Sequence, residues 1–147
     1  MVGMEILKPV VALAAWTMVM WVWMYATRIP AMRAAKVDIA NRVGGTGKDL
    51  DGVVPDPVQW KAHNYNHLHE APTVFYAIAI TLAIVGWGDG LNATLGWAYV
   101  GLRALHSLVQ ATTNRVLARF LIFALSSLVL LALVVHAAMA VFGVSLH

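Results

Sequence analysis

The 147-residue sequence contains no cysteine, so it can form neither a disulfide nor a thiolate metal site. Charge is also scarce: Asp, Glu, Lys and Arg make up 12% of the residues, whereas a soluble domain usually carries about 25%. Hydrophobic residues make up 61% of the chain. This composition predicts a small all-α integral membrane protein that forms a single domain, residues 1–147.

Four long apolar segments separated by polar connections predict four transmembrane helices, at about residues 8–28, 58–87, 91–112 and 117–144. The first segment lacks a clear small-residue cleavage site, so we expect it to remain as a helix instead of being removed as a signal peptide. Pro30 is expected to kink or end that helix. Glycines and prolines between residues 43 and 57 predict a loop.

The basic residues are distributed unevenly among the connections. The first connection carries Arg28, Arg33, Lys36, Arg42, Lys48 and Lys61, and the third carries Arg115 and Arg119. The second connection has only Asp89. The positive-inside rule therefore predicts that both basic loops are cytoplasmic and that both termini lie outside. The net charge of +3 is modest, and its distribution indicates membrane orientation, with no nucleic-acid partner expected.

The second apolar segment begins with an unusually polar stretch, residues 60–72. On a continuous helix His63, His67 and Glu70 would stand at positions i, i+4 and i+7 and would share one face. No charged residue follows Glu70 until Asp89, so Glu70 is expected at the edge of an apolar layer. An ionisable group there is expensive unless it is paired, and it marks a candidate functional site.

The third segment carries a second polar stripe. Arg103, His106 and Gln110 stand at i, i+3 and i+7, which again places them on one helical face. We expect the two stripes to face each other, with Glu70 in contact with Arg103 inside one subunit or across an interface between subunits. His136 interrupts the charge-free fourth segment, and we expect it to make a hydrogen bond between helices.

These residue types leave three interpretations open. In the first, Glu70 and Arg103 form a buried ion pair that fixes helix register. In the second, Arg103, Arg115 and Arg119 bind an anionic small molecule, because guanidinium groups suit carboxylates and lower the pKa of a thiol. Glutathione carries carboxylates, an amine and a thiol. In the third, the two histidines and one carboxylate of the first stripe, His63, His67 and Glu70, hold a metal ion, with His106 as a fourth ligand.

Two segments of the chain resemble the MAPEG family, the membrane-associated proteins in eicosanoid and glutathione metabolism. The first segment is His-Leu-His-Glu-Ala-Pro-Thr-Val-Phe-Tyr, residues 67–76. The second is Gly-Leu-Arg-Ala-Leu-His-Ser-Leu, residues 101–108, continuing through Asn-Arg-Val-Leu-Ala-Arg-Phe, residues 114–120. They look like the bacterial branch of the family, which implies a bacterial inner-membrane location. The resemblance also implies a four-helix bundle that assembles as a homotrimer and holds glutathione between subunits, near the cytoplasmic face.

The resemblance implies roles for individual residues. Glu70 and Arg103 match a family glutamate and arginine, and His106 matches the histidine that follows the arginine. Arg119 matches the arginine that activates the glutathione thiol, which makes it the candidate catalytic residue. Three positions differ from the family pattern: His63 replaces an arginine, His67 an asparagine and Gln110 a tyrosine. The implied glutathione-binding set is His63, His67, Glu70, Arg103, His106, Gln110 and Arg115.

Two functional hypotheses follow from this resemblance. The first is a glutathione-dependent transferase or peroxidase, with glutathione as co-substrate, acting on lipophilic small molecules that enter from the bilayer. The second is a non-catalytic membrane protein with the same fold, which serves as a structural or accessory subunit or binds another ligand. Retention of Arg119 favours the first hypothesis, and the three substituted positions favour the second.

Overall fold

The computed structural model of the protein describes residues 2–144, and these residues contain helices and no β-strand. The α-helices are α1 (Leu7–Ala34), α2 (Asp56–His67), α3 (Ala71–Ile84), α4 (Leu91–Ala111) and α5 (Val116–Phe142). A short 3-10 helix, Gly47–Leu50, lies in the long connection between α1 and α2. The all-α prediction is therefore confirmed. The predicted outside location of the C terminus concerns His147, which lies beyond the described residues.

Helix α1 continues through Pro30 to Ala34, so Pro30 does not end it. The second predicted span, in contrast, consists of two helices. Helix α2 ends at His67, and α3 begins at Ala71, with Pro72 in its first turn. Proline cannot donate to the carbonyl four residues earlier, and its ring clashes with that carbonyl. A helix running through residues 68–72 would place Leu68 in that position, so the chain breaks there.

The helices pack around a core to which every long segment contributes. Leu13 of α1, Phe75 of α3, Tyr99 of α4 and Leu133 of α5 each have at most 1% of their surface exposed. The rings of Phe75 and Tyr99 stack with centroids 4.5 Å apart. Removing such side chains from water stabilises a fold by about 25 cal/mol per Å² of apolar surface, and in a bilayer close packing takes over that role.

Hydrogen bonds fix the two ends of the bundle. At one end the Gly3 amide donates to the Ala83 carbonyl at 2.8 Å, and the Ile6 amide donates to the Gly88 carbonyl at 2.9 Å. The amino-terminal segment therefore lies against the α3–α4 turn. At the other end Lys61 Nζ of α2 donates to the last carbonyl of α4, on Ala111, at 3.2 Å. The two basic connections thus lie at the same end, as their predicted cytoplasmic location requires.

Within residues 2–144, α1 and α5 are long and apolar enough to cross a membrane, with mean hydropathies of 1.6 and 2.6. Helix α4 has 21 residues, but its polar face lowers its hydropathy. Helices α2 and α3 have only 12 and 14 residues, because the break divides the second predicted span between them. The break and the polar face of α4 together build the candidate site.

Candidate functional site: a basic pocket between α2, α4 and α5

The polar stripe of α4 points into the protein. Arg103, His106 and Gln110 are buried, with 1%, 5% and 8% of their surface exposed. Ser107, on the same side of α4, is fully buried. The helical periodicity therefore predicted this face correctly. It brings a cation, an imidazole and an amide to the side of α4 that faces α2 and α5.

The break between α2 and α3 separates the residues of the other predicted stripe. Glu70 precedes α3 with a non-helical backbone, φ −94° and ψ −100°, so the expectation of one continuous helical face through Glu70 was wrong. The turn between α2 and α3 still brings the side chains of His67 and Glu70 together. His67 Nδ1 donates to Glu70 Oε2 at 3.1 Å. The Glu70 side chain is 68% exposed.

His63 lies away from this group, against the connection between α1 and α2. Its Nε2 is 3.6 Å from Asp51 Oδ1, and its side chain is 46% exposed. Asp51 also accepts a hydrogen bond of 2.7 Å from Gln59 Nε2. That bond from Gln59, and after it the nearby His63 imidazole, lower the pKa of the Asp51 carboxyl below its ordinary value. In this structure His63 therefore faces the long connection and not the pocket.

A pocket of about 270 Å³ opens between α2, α4 and the first turns of α5. Its walls are His67, His106, Gln110, Val116, Arg119, Phe120 and Phe123. Four of the predicted site residues thus line one pocket. Glu70 lies beside it through its bond to His67, and Arg115 stands exposed immediately before α5 without lining it.

Arg103 lies behind the aromatic wall of this pocket. Its guanidinium carbon is 5.8 Å from the centroid of the Phe123 ring, a cation–π distance. None of its three side-chain nitrogens has a hydrogen-bond partner among residues 2–144, and the same holds for Arg119 Nε. Glu70 forms no salt bridge with Arg103 within the described part of the chain, where its partner is His67. The pocket therefore carries excess positive charge.

The arrangement of these groups gives no metal site within the described residues: no three His, Asp or Glu side chains come close enough to share an ion. The reason is the helix break, since Glu70 leaves the face that His63 and His67 would have shared, and His63 points to Asp51. What remains at the pocket is a set of cationic and neutral donors. Such a set suits an anionic organic ligand.

A comparison with protein-family models matches the MAPEG family over residues 6–139 of the chain. The chain belongs to the MAPEG family. The resemblance inferred from the two short segments is thus confirmed, and this MAPEG protein is an integral membrane protein with a helical-bundle fold. No match was found among the curated proteins or among the solved structures.

Sequence reasoning missed several pocket residues of this MAPEG protein, and it also missed the buried Asn64 of α2, which does not line the pocket. Phe120 and Phe123 form its aromatic wall, but in an apolar helix their sequence pattern is the same as that of lipid-facing residues. Asn64 is fully buried, and neither of its amide atoms has a hydrogen-bond partner in the described structure. Its place in the polar stretch before Glu70 was the one signal available in the sequence. A buried amide of this kind is costly unless a ligand, water or neighbouring subunit satisfies it.

Proposed function

We propose that the protein is a glutathione-dependent transferase or peroxidase that acts on lipophilic electrophiles. The observation that carries this proposal is the concentration of uncompensated positive charge at one pocket: Arg119 lines it, Arg103 lies behind Phe123, and neither guanidinium is neutralised within residues 2–144. Glu70, the carboxylate beside them, is bonded to His67. An anionic ligand with more than one acceptor group is the chemistry that such a pocket fits.

The donors and acceptors at the pocket fit the groups of glutathione. Arg119, which lines the pocket, supplies a guanidinium for carboxylates or a thiolate, and the buried Arg103 adds positive charge behind Phe123. Gln110 Oε1 and His67 Nε2 also lack partners in the described structure, and both can bond the peptide or amine groups of a small peptide. Glu70 supplies the one acidic group, which suits an ammonium. Glutathione itself would supply the nucleophilic sulfur.

Arg119 is the residue that we assign to the thiol. It lies in the first turn of α5, at the end of the bundle where the basic connections are and where a soluble co-substrate can enter. A guanidinium near a sulfur favours the thiolate over the thiol and so raises its nucleophilicity at neutral pH. Phe120 and Phe123 form an apolar wall beside Arg119, which suits an electrophile that arrives from the bilayer.

The pocket formed by one chain is open on one side, and we place it at an interface of a homotrimer. Small exposed residues on α4, Ala98 and Gly101, allow close approach of a helix from a neighbouring subunit. Both termini are assigned to the outside of a bacterial inner membrane and the pocket to its cytoplasmic face. Native mass spectrometry in mild detergent should show three protomers. A C-terminal reporter that works only in the cytoplasm would contradict the orientation.

The experiment that tests the enzyme function uses the wild-type protein and two readouts. Glutathione at millimolar concentration should raise the melting temperature in detergent, because a ligand selective for the native state stabilises it. The thiolate absorbance of bound glutathione should also appear at neutral pH and should saturate. Absence of both signals would remove the transferase interpretation.

The alternative is a MAPEG-fold protein without glutathione chemistry, and one observation favours it. His63 replaces a family arginine and is engaged with Asp51 instead of the pocket, while Arg115 is exposed outside the pocket walls. Fewer side chains therefore converge on one ligand than the resemblance implies. The two candidates differ in a single measurement, since the alternative predicts no saturable binding of glutathione.

A further inference from the structure

A second pocket, of about 480 Å³, lies between the last turns of α1 and the connection that follows it. None of the residues that line it lines the basic pocket described above. Its walls are apolar on two sides: Tyr25, Ile29 and Met32 come from α1, and Ile39 and Leu50 come from the connection. Two arginines, at positions 28 and 42, stand at the same pocket.

The apolar wall is exposed, unlike the core of the bundle. Tyr25 is 40% exposed, Ile29 43% and Ile39 63%, and all three line one concave surface. Single hydrophobic side chains scattered over a surface are ordinary. Apolar side chains gathered in a concave surface beside arginines suit a ligand that has an apolar part and an anionic part. This surface therefore has room for a hydrocarbon chain.

The cationic part of the pocket is built around Arg28. Arg28 Nη2 donates to Gln59 Oε1 at 2.9 Å, and Gln59 is itself held by Asp51 at 2.7 Å. Gln59 is 3% exposed, so these contacts fix the guanidinium from a buried side. Arg28 Nε is buried and has no hydrogen-bond partner among the described residues. The fixed guanidinium thus retains an unused donor.

The other arginine of the pocket is already neutralised. Arg42 Nη2 lies 3.0 Å from Asp49 Oδ2, and Asp49 also accepts the Thr46 amide at 2.9 Å. Gly47 lets the backbone come close to Arg28, since a Cβ at that position would lie 3.2 Å from Arg28 Nη2. The net positive charge at this pocket therefore comes from Arg28.

The position of the pocket along α1 indicates where its ligand comes from. Trp21, Trp23 and Tyr25 form an aromatic group in the two turns before Arg28, as at the membrane–water interface. Arg33 and Lys36 follow Arg28 in the sequence but do not line the pocket. We propose that this pocket binds an anionic phospholipid, with the phosphate on Arg28 and the first acyl carbons against Ile29 and Ile39. The bound lipid would fix the long connection to the membrane surface.

The test compares lipid retention by purified protein in mild detergent. Equimolar phosphatidylglycerol and phosphatidylcholine with identical acyl chains are added, and bound lipid is measured by native mass spectrometry. A juxtamembrane arginine favours anionic lipid by about fivefold, so the wild type should prefer phosphatidylglycerol at least by that factor. Arg28→Gln should remove the preference. Arg33→Gln is the matched control: it removes the same charge from an exposed site five residues along α1 and should keep the preference.

Two further arms separate a lipid site from a site for the anion alone. Inorganic phosphate should not displace phosphatidylglycerol at equal concentration, because it lacks the acyl chain. Ile39→Ser, in the exposed connection, should lower retention several-fold while leaving every charge in place, and it decides the matter if Arg28→Gln fails to fold. Equal retention of both lipids, equal effects of Arg28→Gln and Arg33→Gln, full displacement by phosphate, or unchanged retention by Ile39→Ser would each overturn the proposal.

Discussion

The imidazole rings of His67 and His106 lie with centroids 4.9 Å apart and tilted by 31°. Phe123 of α5 packs against both, at 5.9 Å from His67 and 6.4 Å from His106. The two polar stripes of the sequence therefore do meet, as expected, but inside one chain they meet through imidazoles. Glu70 and Arg103 do not take part in this contact directly. Glu70 is bonded to His67, and Arg103 lies behind Phe123.

The first prediction rests on the proposed homotrimer and concerns contact between Glu70 and Arg103 across its interface, since the two residues form no salt bridge within residues 2–144. We expect Glu70→Gln and Arg103→Met to show a coupling energy of about 0.5–3 kcal/mol in a double-mutant cycle on the trimer, as residues in contact do. The readout is unfolding of the trimer in mixed detergent and denaturant. If the two effects simply add, the residues do not interact, and Glu70 contributes through its exposed pair with His67, for which less than about 1 kcal/mol is expected.

The second prediction concerns the link between α4 and α5. His136 Nδ1 donates to Asn92 Oδ1 at 2.6 Å, and Asn92 Nδ2 donates to the Trp87 carbonyl at 2.8 Å. We expect His136→Leu to lower stability by about 0.6 kcal/mol and by no more than about 1.7, the range measured for hydrogen bonds between membrane helices. Asn92→Leu should lower stability less in the His136→Leu variant than in the wild type, because the shared hydrogen bond is already lost. A loss of several kcal/mol would point to a role beyond this bond.

The third prediction concerns acid and the long connection. The native pKa of Asp51 is lowered, chiefly by the hydrogen bond from Gln59, so its contribution to stability is fully present above the pKa that an unfolded Asp has. That contribution is lost as the pH falls through the lowered native pKa. The difference in melting temperature between wild type and Asp51→Asn should therefore be constant from pH 7 to about 5 and should shrink below about pH 4. A difference in melting temperature that grows on acidification would contradict the lowered native pKa of Asp51.

Periodicity was enough to predict what happens within a single helix. The buried face of α4, with Arg103, His106 and Gln110, followed from spacing alone. The interhelical hydrogen bond of His136 followed from its position as a polar residue in a charge-free segment. The family followed from two short segments whose order and spacing are specific. These features can be predicted from the sequence without knowing how the helices pack.

The sequence did not predict features that depend on a clash or on a distant segment. Pro72 acts on the carbonyl four residues before it, so the helix breaks ahead of Glu70, whereas one continuous helical face through that residue was expected. The orientation of His63 is set by the connection that carries Asp51, and no pattern within α2 reveals it. The aromatic wall of Phe120 and Phe123 becomes visible only once α5 is packed against α4.

The last prediction separates two arginines that are one helical turn apart. Arg119 lines the basic pocket, and Arg115 is exposed before the first residue of α5. If Arg119 holds the thiolate, Arg119→Leu should lower conjugation of a lipophilic electrophile by roughly 10²–10³, the usual effect of removing one positioned donor.

The same substitution should raise the pH at which bound thiolate absorbance appears, since the charge that favours the thiolate is gone. The control is Arg115→Leu, which removes the same charge from the same end of α5 and should leave that absorbance close to wild type. Native mass spectrometry should show the wild-type oligomer for both variants, so that loss of assembly is not mistaken for loss of chemistry. Equal effects of Arg119→Leu and Arg115→Leu would contradict the assigned role of Arg119. They would mean that Arg119 contributes only to the general positive field at the membrane surface, because the exposed Arg115 cannot position the sulfur in the pocket.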